Sequence, residues 1–367
     1  MTRRILVCCG AGGVGKTTTA TGIAIAAARR GRRVLALTID PSKRLAETLG
    51  VERNLTKPVS MPADRLKQAG IEAPGALETW MLDPQLVASR VVQRLAQTPE
   101  AAEKLMNNRI YKSVSSMVAG MQEYTAMEAL HGFIDEGRYD LVVLDTPPSR
   151  NALDFLDGPR RLGRFLDGRI FQIFMPGDDL NFIQRATSNL IGKVLTAVFG
   201  EASYKDLQEF FEMFSKILGK LNNNATTMSS FLANPEEVGF VLVTSPSPIA
   251  LTDAFFFQRK TEEMNLPFKA FILNRSQANI ADRVYPSDDL LGPDPTPLQR
   301  SALTKLQKLA ELEIAQVERD QELLQQLQNR AGEGALAMAL PSLTGGVNDI
   351  PSLLQIAESL AGNPPTP

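Results

Sequence analysis

Residues 10–17 read Gly10-Ala11-Gly12-Gly13-Val14-Gly15-Lys16-Thr17, and they follow the apolar run ILVCC at 5–9. No other stretch constrains the fold as strongly. It fits the pattern G-x-x-x-x-G-K-[ST]. The apolar run before it is short and unbroken, which predicts a buried strand. The alanine-rich residues 16–30 after it predict a helix, with Gly31 placed to end it. Residues 33–39 (RVLALTI) read as a second buried strand, stopping at Asp40-Pro41. Strand, glycine turn, helix and strand make one βαβ unit. Glycines in such a turn let backbone N–H groups converge on phosphate oxygens, and the helix N-terminus adds positive potential. Lys16 suits the β- and γ-phosphates, and the Thr17 hydroxyl suits Mg²⁺. The loop therefore predicts a bound nucleotide, held by Gly12, Gly13, Val14, Gly15, Lys16, Thr17 and Thr18.

Further strands are predicted at 139–144, 238–245, 268–274 and 336–340. Helices are predicted at 250–264, 297–330 and 351–361. Alternating strands and helices imply α/β architecture: a doubly wound, mostly parallel sheet. Two stretches interrupt the alternation. Residues 51–135, punctuated by Pro58, Pro62, Pro74, Pro84 and Pro99, read as helices and loops. So do residues 156–235. The expected organisation is a core of 1–50, 136–155 and 236–367, with 51–135 and 156–235 as helical insertions forming one subdomain. The long helix at 297–330 places Leu306, Ala310, Val317 and Leu324 near one face, with its charges elsewhere.

Two acids fall at the same edge of this sheet. Asp145 ends an apolar strand, where a carboxylate can hold Mg²⁺ directly or through water. Asp40 ends the second strand and can orient an attacking water. Ligands of such sheets bind at the carboxyl ends of the strands, so Lys16, Asp40 and Asp145 should converge.

Bulk properties exclude several classes. The 39 Lys and Arg balance 41 Asp and Glu, a net charge of −2, which argues against a nucleic-acid coat. His131 is the one histidine and Cys8-Cys9 the one cysteine pair, too few ligands for a zinc site. Adjacent in a strand, the two cysteines should point to opposite faces and pack in the core. Few cysteines and no signal peptide predict a cytoplasmic chain. No apolar run approaches the roughly 20 residues that span a bilayer. The last helix carries no Lys or Arg, which speaks against stable insertion at a membrane surface.

The loop resembles the deviant Walker A motif of the SIMIBI P-loop ATPases, and the whole chain is similar to the arsenite-pump and tail-anchored-protein-targeting ATPase family. The matching stretches are GAGGVGKTTT (10–19), TIDPSKRL (38–45), VVLDTPPSRNAL (142–153), VLVTSPSPIALTDAFFF (241–257) and FILNRS (271–276). AGMQEYTAMEAL (119–130) and LPSLTGGVNDIPSL (340–353) match more loosely. The resemblance implies an Mg-dependent ATPase with two nucleotides near a dimer interface. It makes Asp40 the residue of switch I that positions water, with Lys16 as its catalytic partner. It makes Asp145 the switch II acid, Asn274 the reader of the adenine edge, and Leu340-Pro341 the loop that packs on the base.

The departures from that family are equally specific. Its signature loop lysine, which reaches the partner's phosphates, is Ala11 here. Its usual glutamate after the proline of TSP is Ser247. Two arrangements stay open: pairing with a related, lysine-bearing subunit, or a homodimer in which Arg150 or Lys43 supplies the charge. Nine of 17 phenylalanines lie between Phe165 and Phe231, with Met106, Met117, Met121, Met127, Met175, Met213 and Met228 in the two insertions. Such residues suit either an apolar groove for a helical protein client or an ordinary helical core. The expected function is an ATP-driven dimeric switch working on a client. The alternative is a regulatory ATP-binding subunit with little hydrolysis of its own.

Overall fold

The computed structural model describes residues 4–38, 57–73, 76–81, 92–109, 136–146, 230–280, 284–343, 346–347 and 349–362, with scattered positions between 49 and 227. Eight strands form one sheet in the order β3-β4-β2-β5-β1-β6-β7-β8. They are β1 Ile5–Gly10, β2 Val34–Thr38, β3 Val59–Ser60, β4 Leu77–Met81, β5 Leu141–Asp145, β6 Val238–Thr244, β7 Phe268–Ser276 and β8 Leu336–Pro341. All neighbours run parallel except β3, which lies antiparallel on β4 at the edge. The α/β, mostly parallel sheet expected from the sequence is present.

The chain first builds outward from β1 to one side, then returns and builds to the other. β5 slots between β2 and β1, and β6 flanks β1 on its far side. The direction of winding therefore reverses at β1, where such sheets open a crevice at their carboxyl edge. The glycine loop begins there.

Alternation along β1 splits the core into two layers. Ile5, Val7 and Cys9 face one layer, and Leu6 and Cys8 face the other. The second layer is covered by α1 (Lys16–Arg29) and α6 (Ile350–Leu360). Those helices touch closely at Gly22, where an added Cβ would come 2.6 Å from Ile356 Cγ2. Burial of Ile350, Leu353 and Ile356 stabilises this contact by about 1.5–3 kcal/mol per side chain. The first layer is covered by α4 (Pro248–Glu263) and the lower half of α5 (Pro297–Ala331).

Three sequence expectations need correction. Residues 59–60 and 77–81, expected among helices and loops, are β3 and β4. The sheet thus extends into the stretch assigned to the first insertion. Helix begins again at α2 (Ala63–Gln68) and α3 (Pro99–Asn107). The buried face of α5 is Leu303, Ala310, Val317 and Leu327, not one containing Leu306, which is exposed. Its charges are not all on the outside either, because Asp320 is fully buried.

Parts of the two insertions meet. Lys104 pairs with Glu209 at 3.0 Å, Asn108 Nδ2 donates to the Asp206 carbonyl at 3.0 Å, and Lys220 Nζ donates to the Leu95 carbonyl at 2.9 Å. Phe210 and Ile217 are buried in the first core layer, and Met106, Phe211, Met213 and Phe231 pack against it. The other phenylalanines between 165 and 214, together with Met117, Met121, Met127, Met175 and Met228, lie outside the described residues. Among the described residues, no helix is long and apolar enough to cross a membrane.

Candidate nucleotide site

Helix α1 starts without a side-chain cap. Its N-cap is Gly15, at φ 90°, and no acidic residue lies in its first turn. The first N–H groups of a helix lack internal partners. Thr98 caps α3, Thr296 forms a capping box on α5 and Asp349 caps α6, while α2 and α4, like α1, begin without a side-chain cap. At α1 the donors stay directed at the loop, which suits an anion. Gly15 also has no room for a side chain, since a Cβ would lie 2.1 Å from Asn274 Nδ2.

Three contacts hold the loop. Lys16, only 5% exposed, donates from Nζ to the Ala11 carbonyl at 2.7 Å. Thr17 donates from Oγ1 to Asp145 Oδ2 at 2.7 Å. Asn274 donates from Nδ2 to the Val14 carbonyl at 2.8 Å. Lysine, hydroxyl, carboxylate and amide thus meet at the ends of β1, β5 and β7. Val14 is buried in the core, whereas Gly12 and Gly13 are exposed at the loop's crest, and Thr18 is half-buried on α1. Pro341 ends β8, paired in register with Ser276 two residues beyond Asn274. Asp40, Lys43 and Arg150 lie outside the described residues.

Two threonines at this edge were not anticipated. Thr38 sits opposite Asp145 in the β2–β5 register and donates to Asp145 Oδ2 at 3.1 Å. Thr146 donates to the Cys8 carbonyl at 2.8 Å, tying the end of β5 to β1. The only sequence signal for either was a hydroxyl ending an apolar strand. The cysteines are inert by environment: burial pushes the Cys8 thiol well up and the Cys9 thiol to about 12. A thiol so raised is not a thiolate at neutral pH.

The donor set fits magnesium. A threonine hydroxyl and a carboxylate 2.7 Å apart are hard oxygen ligands beside a phosphate-binding loop. Mg²⁺ usually takes few protein ligands and completes its shell with water and phosphate oxygens. Thr17 and Asp145 are the residues that would hold it.

A glycine loop between a central parallel strand and an uncapped helix, with Lys16, Thr17 and a strand-end acid around it, defines a P-loop nucleoside triphosphatase. Comparison with known proteins narrows the class. The profile of the anion-transporting ATPase family matches residues 3–275. The chain belongs to that family, which contains the arsenite-pump and tail-anchored-protein-targeting ATPases. It is 24% identical over 269 residues to "ATPase ASNA1 homolog 1" of Paramecium tetraurelia, covering 72% of this chain and 73% of that protein. It is 24% identical over 275 residues to "ATPase GET3B" of Arabidopsis thaliana, covering 72% and 62%. Against the "Arsenical pump-driving ATPase" of Escherichia coli it is 25% identical over 163 residues, covering 43% of this chain and 26% of that protein.

Proposed function

We propose that this ATPase is an Mg-dependent, cytoplasmic switch that works as a dimer, closing on ATP and reopening after hydrolysis. The observation that carries this reading is the Thr17–Asp145 contact of 2.7 Å at the uncapped start of α1. In this reading the loop N–H groups and the α1 N-terminus bind the β-phosphate. Lys16 exchanges the Ala11 carbonyl for a γ-phosphate oxygen. Mg²⁺, when bound, neutralises charge on the β- and γ-phosphate oxygens. Asp40 orients the water that attacks the γ-phosphorus, and ADP and phosphate leave. Asp145, bonded to Thr17 and Thr38, senses the loss of the γ-phosphate and passes it to the chain after β5.

Adenine recognition follows from Asn274. One N–H of its NH₂ donates to the Val14 carbonyl, and its Oδ1 serves as an acceptor. An acceptor suits the 6-amino group of adenine and rejects the 6-oxo group of guanine. Pro341 packs on the base. The helical parts of the insertions form one subdomain that holds or releases an apolar helical client. The contacts of Lys104, Asn108 and Lys220 between the two insertions support that grouping.

A second reading has its own observation. Ala11 packs against the apolar core, and its carbonyl accepts Lys16 of its own loop, so position 11 offers no cation to a partner. On that reading the chain is a regulatory ATP-binding subunit paired with a lysine-bearing relative. The test is Mg·ATP turnover measured over a range of protein concentrations. A specific rate that climbs with concentration is expected for the self-dimerising switch. ATP binding without turnover at any concentration would hand the case to the regulatory subunit.

A further inference from the structure

Asp320 is a carboxylate with no exposure to water, about two-thirds of the way along α5. Its Oδ2 accepts the Gln277 backbone N–H at 2.8 Å and the Ser276 hydroxyl at 3.2 Å. Among the described residues its Oδ1 accepts no hydrogen bond, and its one ion-pair contact is the Arg319 guanidinium at 3.5 Å. Burying a carboxylate is costly unless hydrogen bonds offset it, and here the offset comes from two donors on one short piece of chain. The carboxylate in turn holds that piece.

That piece follows Asn274 directly. Gln321, next to Asp320, donates from Nε2 to the Ala278 carbonyl at 3.1 Å. Asn279 donates from Nδ2 to the Ala339 carbonyl at 2.9 Å, and the Ala278 N–H donates to Ser276 Oγ at 3.1 Å. The clamp stands where the sheet itself lets go. The β7–β8 register shifts between Leu273 and Ser276, and Arg275 takes φ 57°, a left-handed conformation rare outside glycine. Regular ladder pairing therefore does not set the backbone at Asn274 and Arg275. The next residues, anchored by Asp320, set it. The same anchor fixes Ser276 opposite Pro341.

We infer that Asp320 is a positioning residue for the nucleotide base: it fixes the end of β7 so that the Asn274 amide and Pro341 meet the adenine in one geometry. This rests on the adenine reading proposed above. Asp320 touches no nucleotide in this scheme, so its loss should weaken base recognition and spare the phosphates.

Two probes separate those effects: Mg·ATP, and Mg-bound inorganic tripolyphosphate, which carries a three-phosphate chain without ribose or base. Calorimetric titration of the full chain should show wild type preferring ATP. In Asp320→Ala the ATP affinity should fall about tenfold, the worth of one well-placed hydrogen bond, with tripolyphosphate affinity unchanged. KM for ATP should rise with kcat nearly constant. Asp320→Asn keeps an oxygen that can accept from Ser276 and Gln277, so it should restore most of the affinity. If Asp320→Ala does not fold, Ser276→Ala removes one arm of the clamp at small cost in volume and should show the same selective loss, about threefold. Equal losses for both probes, or an undiminished preference for ATP, would overturn the inference. A wild type that binds both probes equally overturns the adenine reading itself, and this inference with it.

Discussion

The two ends of the central sheet are finished in different ways. At the amino ends, charge meets opposite charge. Arg33, before β2, pairs with Asp140, before β5, at 2.8 Å, and its backbone N–H donates to the same carboxylate at 2.8 Å. Arg138 grips both oxygens of Glu78 at 2.6 and 2.8 Å, and the Tyr139 hydroxyl donates to Glu78 as well. Arg4, before β1, faces Glu237, before β6, at 3.8 Å. At the carboxyl ends, polar groups meet through hydroxyls, amides and carbonyls. Asp145 accepts from Thr17 and Thr38, Lys16 donates to a backbone carbonyl, and Asn274 braces Val14. Ion pairs close one end within itself. The other end is built from bonds that phosphate oxygens can replace, and its cation sits on a carbonyl it can leave. Ion pairs hold one edge, and the proposed chemistry belongs to the other.

Substitutions should therefore split by edge, activity at the carboxyl end and stability at the amino end. The largest effect belongs to Lys16→Ala. ATP turnover should drop by at least about a hundredfold, as when one transition-state donor is removed. The urea midpoint should barely move, because the lost bond ends on a backbone carbonyl in a loop water can reach. A large fall in midpoint would mean that the loop is part of the scaffold and would erase the contrast. The mirror case is Glu78→Ala. It strands the buried Tyr139 hydroxyl and leaves the half-exposed Arg138 head to water, and should destabilise the fold by about 1–2 kcal/mol in urea titration. The KM for ATP should stay as in wild type. A changed KM would show that the amino edge communicates with the site.

How much of this was legible in sequence depended on where each residue's partner lies. β1, β2, β5, β6 and β7 declared themselves as unbroken apolar runs, and the phosphate loop by its spacing, because both signals are local. β4 did not. Its LETWM puts Glu78 and Thr79 inside a strand with neighbours on both sides, and Arg138 and Tyr139, some sixty residues on, make the burial of Glu78 tolerable. β3 is two residues long and offers no period to read. Asp320 looked like one more charge on a polar helix face, since its partners at 276–277 belong to another element. In the site, motif and strand-end logic expected Lys16, Asp40 and Asp145 to converge; the structure puts Thr17 of the loop on Asp145 at 2.7 Å, and Asp40 lies outside the described residues. Thr38 was missed because its role follows from the β2–β5 register, which no local pattern contains. Asn274 was expected at the base; the structure shows its amide bonded to Val14 of the loop.

The subtlest prediction concerns how an ion pair at the closed edge responds to acid. The Arg33 side chain, then its backbone N–H, hold the Asp140 carboxyl below its ordinary range. A depressed folded pKa stabilises the protein above the unfolded value, about 3.9, and that stabilisation is lost as pH falls through the folded pKa. Asp140→Asn should therefore be less stable than wild type at pH 7, and the gap should narrow below about pH 4 and vanish once wild-type Asp140 is protonated. The side chains are 57% and 40% exposed, so water and salt screen the pair and the gap at pH 7 should stay below about 1 kcal/mol. Adding 1 M NaCl at neutral pH should shrink it as acid does, since the Debye length falls to about 3 Å. ATP turnover should track neither change at pH 7. A turnover that fell with Asp140→Asn would place a functional role at the edge described here as structural.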